Sequence, residues 1–120
     1  MFPPVYTTLR ANATVLATVA DRIGPHGTVA QTETRPYITW QVVLGQPHDN
    51  LSDPPPSDFT SLQIDCYHAN ALAVVTLASA VRDALDAALV ANRTILNVRD
   101  ESTKLYRVGQ EADFITQRTP

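Results

Sequence analysis

The stretch from residue 59 to residue 90, FTSLQIDCYHANALAVVTLASAVRDALDAALV, changes its hydrophobic period once, and that change decides the fold class. In its first part Leu62, Ile64 and Cys66 alternate with Ser61, Gln63, Asp65 and Tyr67, the period of a strand with one buried face. Asn70 then offers a side-chain oxygen for the first free amides of a helix. Beyond it Val74, Leu77, Ala78, Val81, Leu85, Ala88 and Leu89 recur at spacings of three and four, with Arg82, Asp83 and Asp86 outside the stripe. The spacing predicts a helix from Asn70 to about Val90, and its many alanines allow it to lie close against a sheet.

Upstream, Tyr37-Ile38-Thr39-Trp40-Gln41-Val42-Val43-Leu44 is β-branched and aromatic, with Ile38, Trp40, Val42 and Leu44 on one face. Residues 45–58 hold Pro47, Pro54, Pro55 and Pro56, and a proline triplet cannot join a ladder. The two strands therefore predict a hairpin with a long proline loop at 45–58. Before it, Val5, Leu9, Ala13, Leu16 and Ala20 predict an N-terminal helix, with Asn12 a candidate break, and Gly24-Pro25-His26-Gly27 is turn chemistry. Downstream, residues 94–99 form a third strand, residues 100–104 a polar turn, and residues 105–117 the last strand. Gly109 inside that strand marks a bulge or bend. The expectation is one α+β domain over residues 1–120, in the order α-β-β-α-β-β. Its sheet is four-stranded, mixed or antiparallel, with two helices on one face.

Charge excludes some functions. The net charge is −3; residues 1–60 carry three cations and five acids, residues 61–120 six and seven. Neither half is a basic block, so the electrostatic footprint of a dedicated nucleic-acid binder is missing. A single cysteine, Cys66, excludes an internal disulfide framework. No apolar run reaches the ~18 residues of a membrane span, and no leader opens the chain, so a cytosolic protein or a particle assembled in the cytosol is expected.

Catalytic and metal constellations are sparse. Cys66 and His68 share a strand face, but a metal site needs a third and fourth ligand, and Cys66 extends the apolar Leu62/Ile64 face as a core residue would. Asp65 faces away from both, so it cannot orient the imidazole of a thiol hydrolase. Asp49, Asp53 and Asp58 lack the alternation, glycine and closing glutamate of a calcium loop. The four glycines are scattered and form no phosphate cradle. No cofactor and no catalytic residue is expected, and function by surface is what remains.

Several short motifs in order resemble the tail-completion (tail-terminator) proteins of long-tailed bacteriophages. They are Leu9-Arg10-Ala11-Asn12-Ala13-Thr14-Val15, Asp21-Arg22-Ile23-Gly24-Pro25, and Arg35-Pro36-Tyr37-Ile38-Thr39-Trp40. Later come Leu62-Gln63-Ile64-Asp65-Cys66-Tyr67, Val81-Arg82-Asp83-Ala84-Leu85, Tyr106-Arg107-Val108 and Ala112-Asp113-Phe114. The resemblance implies a structural virion subunit that forms a closed, sixfold homo-oligomeric ring at the head-proximal end of the tail. The ring would cap the tail tube protein and dock the head-closure or neck protein, with DNA only passing through its lumen and no membrane involved. The neighbouring alternatives are a head-closure or neck adaptor ring protein, and a small nucleic-acid-binding module.

Candidate interface residues follow from position. Arg22 and Arg35 flank the first loop and either pair with a carboxylate on a neighbour or brace the loop within the subunit. Asp49, Asp53, Pro55 and Asp58 lie in the proline loop, Asp100 and Lys104 in the last turn. Both hairpin tips either reach neighbours and axial partners or are simply exposed.

Overall fold

The computed structural model describes residues 3–29, 34–47 and 57–117. The elements are α1 (Val5–Arg10), α2 (Ala13–Val19), β1 (Ile23–Pro25), β2 (Tyr37–Pro47), β3 (Ser57–His68), α3 (Ala71–Ala87), β4 (Ala91–Arg99) and β5 (Tyr106–Gln117). The α+β class stands, with two corrections: among the described residues the sheet has five strands rather than four, and there are three helices rather than two. The sheet is mixed, in the order β1-β2-β3-β5-β4; β1 runs parallel to β2, and all other pairs are antiparallel. None of the described helices is long and apolar enough to cross a membrane.

The first helix is split because Asn12 caps a new one. Its side-chain oxygen accepts from the amides of Thr14 (2.9 Å) and Val15 (3.2 Å), and α2 restarts in a new phase. The buried residues are consequently Val5, Leu9, Val15 and Val19, whereas Ala13, Leu16 and Ala20 of the expected single stripe face outward. The extra strand lies where Gly24-Pro25 predicts a turn. Three residues, Ile23, Gly24 and Pro25, pair with Ile38, Thr39 and Trp40, too short a run for any period to show.

α3 follows the sequence reading closely. Asn70 accepts from the amides of Leu72 and Ala73, both at 2.9 Å, and Val74, Leu77, Ala78, Val81 and Leu85 are buried. The helix stops at Ala87, three residues early, because Leu89 takes a left-handed backbone (φ 60) and turns the chain into β4. Leu89, expected on the apolar stripe, is 93% exposed.

One core joins the helices to a single sheet face through Ile38, Leu62, Ile64, Cys66, Val108, Ala112 and Phe114. Fully burying each large aliphatic of this set contributes about 1.5–3 kcal/mol. The β2–β3 ladder runs past the expected strand ends to Pro47↔Asp58, with a bulge between Val42 and Leu44. Asp58 thus lies in β3 and not in a loop. The expected loop at 45–58 loses both flanks to the ladder; Asp49, Asp53 and Pro55 lie outside the described residues. β4 begins at Ala91, three residues earlier than expected.

Candidate assembly surfaces

The sheet face turned away from the helices is polar, yet closely packed. Alternation on β3 sends Gln63, Asp65 and Tyr67 to this face, and β5 sends Arg107, Gly109, Glu111 and Asp113 opposite them. Asp65 is 1% exposed, and Arg107 Nη2 donates to its Oδ2 at 3.1 Å. Gln63 Nε2 donates to the other carboxylate oxygen, also at 3.1 Å. Burial disfavours the Arg107 charge, but the hydrogen bond and charge of Asp65 outweigh it and raise the guanidinium pKa.

Gly109 permits this packing. A Cβ there would stand 2.8 Å from Asp65 Oδ1 and 2.9 Å from Leu96 Cγ, because both side chains close over the glycine. The bulge expected at Gly109 falls instead on its partner strand, between Thr94 and Leu96 of β4. Further along, Arg93 bridges β4 to β5, pairing with Glu111 and, at 3.2 Å, with Asp113 Oδ2. Ser61 Oγ donates to Glu111 Oε1 at 3.0 Å, extending the network to β3.

At one end of this face Tyr37 and Tyr67 stack, with centroids 4.5 Å apart, and Leu105 packs against them. A cleft of about 260 Å³ opens there between the His26–Gly27 turn, Thr39, Thr103 and Arg107. Burial raises the Tyr67 pKa, and the nearby Arg107 charge only partly offsets it. The 100–104 turn is held by its own aspartate. Asp100 Oδ1 accepts from Ser102 Oγ (2.6 Å) and from the amides of Ser102 (2.9 Å) and Thr103 (3.4 Å). The Ser102 hydroxyl bond is the main cause of its lowered pKa.

The described candidate residues lie on or beside several elements. Arg22 braces the first loop: Nε donates to Pro36 O at 2.8 Å and Nη2 to Thr18 O at 3.1 Å. Arg35 is exposed beside it. Lys104 is exposed, has φ 62, and lies 3.6 Å from Glu101 Oε2. Cys66 is wholly buried in the core; burial, with a smaller push from the Asp65 charge, raises its thiol pKa far above the ordinary value. His68 Nδ1 accepts from the Asn70 amide at 3.1 Å, next to the start of α3. Among the described residues no three His, Cys, Asp or Glu side chains gather as a metal site requires.

A different surface escaped the sequence reading. β4 begins opposite Asp113, whereas β5 continues to Gln117 and β3 and β2 continue beside it. Three strands thus project as an arm beyond β4. At its base, on the β4 side, lies an apolar hollow of about 580 Å³ lined by Pro4, Phe59, Leu89, Val90, Phe114 and Thr116, among others. The only signals in the sequence were Leu89, a leucine where a helix ordinarily ends in glycine, and the unequal lengths of the two C-terminal strands.

Fold and surfaces together define a small α+β domain with one helix-covered sheet face, one ion-paired face and a projecting arm. The model of the family described as tail completion protein gp17 matches residues 3–117, and the chain belongs to that family. Among solved structures, a chain from the virion of a native gene transfer agent particle has a similar fold. The two share 17% identity at a TM-score of 0.65, with 95% of this chain and 92% of that chain covered. No curated protein matches the chain.

Proposed function

We propose that the chain is a structural tail protein, not an enzyme, and that its copies close into a ring that terminates the tail tube and receives the head. The family match across residues 3–117 carries this reading. The likeness in fold to a chain of a gene transfer agent virion is in keeping with it. Heterologous contacts repeated by rotation close into a ring when the angle allows, and a closed ring has two non-identical faces. One face matches the tail tube protein and the other the head-closure or neck protein, so a single subunit type makes an asymmetric joint. Sixfold symmetry is the proposed order, and assembly takes place in the host cytoplasm.

The charge balance suits a lumen through which DNA passes. With a net charge of −3 and its described arginines on the open face paired to Asp65, Glu111 and Asp113, the subunit offers DNA no strong attraction. Arg22, Arg35, Asp58, Asp100 and Lys104, with Asp49, Asp53 and Pro55, remain the proposed axial and lateral contacts of this ring.

The test is electron microscopy of particles made without this gene, with the purified protein added back. Full heads beside unjoined or overlong tails, repaired by addition, support tail completion. Unattached tails of normal length beside emptied heads point to a head-closure ring instead. Joined virions of normal form remove both readings.

A further inference from the structure

The arm has two strand margins that no described residue pairs. On one side β4 reaches only Asp113, leaving β5 residues 114–117 without a neighbour there. On the other, β1 covers β2 only at Ile38, Thr39 and Trp40, leaving residues 41–46 open before Pro47, which has no amide to give. Exposed strand margins invite pairing, and stable monomers blunt them. Here both margins carry apolar side chains instead: Val42 (43% exposed) and Val43 (51%) at the β2 bulge, Ile115 (59%) and Leu89 (93%) at the β5 side.

The β5 margin also shows signs of a missing occupant. Thr116 is only 8% exposed and lines the 580 Å³ hollow, and its hydroxyl has no hydrogen-bond partner among the described residues. Leu89 holds a left-handed backbone (φ 60) that glycine would hold without strain, while its side chain stands in solvent at the rim of the same hollow. A strained, exposed leucine beside an apolar recess gains nothing for the isolated subunit.

We propose, resting on the ring reading above, that neighbouring copies join edge to edge, the 114–117 margin of β5 in one copy receiving the 41–46 margin of β2 in the next. The second copy is the fitting occupant because the two margins are opposite flanks of one three-stranded arm. A head-to-tail repeat therefore presents each flank with the other. β2 and β5 both run antiparallel to β3, hence parallel to each other. With the strands along the ring axis the junction is a parallel strand pair. Val42 and Val43 enter the hollow beside Leu89, and the Thr116 hydroxyl meets backbone of the incoming strand. Repeated around the ring, the arms close a sheet, and closure abolishes the edges.

The test uses particles assembled with variants that each add one cysteine, Val43→Cys and Ile115→Cys, treated with a short thiol cross-linker. Native Cys66 is wholly buried and remains silent. Covalent dimers are expected when the two variants are co-assembled, and a ladder of multimers when both substitutions sit in one chain. Neither variant alone should cross-link. Cross-linking within one variant alone means a two-fold contact and overturns the proposal. No cross-link in particles whose subunits are present as a ring overturns this junction while leaving the ring intact. A single copy per particle removes the ring reading itself. Hydrogen exchange needs no substitution: amides at 41–46 and 114–117 should exchange at least ~10-fold more slowly in assembled than in isolated subunits. Unchanged exchange at both margins overturns the junction.

Discussion

Replacing Arg107 by methionine keeps most of the length of the side chain and removes its charge. Asp65 is 1% exposed and receives Arg107 Nη2 at 3.1 Å, so the variant leaves a carboxylate in the sheet without its cation. Removing one partner of a buried ion pair typically costs about 3–5 kcal/mol. Two features lower that figure here: Arg107 is itself 26% exposed, and Gln63 still donates to the carboxylate. A loss of about 2–3 kcal/mol follows. For a 120-residue chain the unfolding entropy is about 0.25 kcal/mol/K, so each 1 kcal/mol moves Tm by about 4 °C and the expected drop is roughly 8–12 °C. Urea unfolding followed by circular dichroism measures the free energy directly, and calorimetry the Tm. The double variant Asp65→Leu/Arg107→Met should recover most of the loss, since two apolar groups leave no charge stranded. A single variant within about 0.5 kcal/mol of the parent would refute the reasoning, because the pair would then behave as an ordinary surface bridge.

Gly109→Ala should destabilise by about 1–3 kcal/mol, because the new methyl meets Asp65 Oδ1 and Leu96 Cγ inside 3 Å; urea unfolding checks it. Leu89→Gly should leave the isolated subunit as stable or up to about 1 kcal/mol more stable, by relieving the left-handed leucine, yet weaken assembly measured by light scattering. Asp100→Ala should cost about 1 kcal/mol at neutral pH by freeing the Ser102 and Thr103 groups. The Asp100 pKa is lowered in the folded chain, so its stabilisation is present above the unfolded value of about 3.9 and is lost as pH falls through the folded value. The gap between parent and variant in urea titrations should therefore narrow below about pH 4.

The elements whose residues repeat a period were legible without coordinates. The 2-residue alternation of Leu62, Ile64 and Cys66 and the 3.6-residue stripe of α3 each test the same face many times; the first holds in the structure, and the second holds as far as Leu85. Asn70 and Asn12 were legible as cap and break because the capping bond is local, made to amides two and three residues ahead. β1 was not, since three residues carry no period and its pairing with Ile38, Thr39 and Trp40 exists only once the chain has turned back. The candidate surface was chosen by position alone. Arg22 and Asp100 make local bonds in the structure, Asp65 has its place in an ion pair rather than in catalysis, and Arg107 and Leu89 carried no signal of their own.

Local order along the chain settles which segments become helix or strand, the α+β class, and the family motifs carried at fixed spacing. Folding alone decides register, and register decides what meets across strands. Only because Asp65 pairs with Gly109 and Tyr67 with Arg107 does a buried carboxylate find its cation beside a glycine that leaves it room. Only because β4 starts opposite Asp113 does β5 run on with an open margin beside an apolar hollow. Residues this far apart in the sequence have no shared period to advertise such contacts. They come together through the summed burial of a core to which neither belongs.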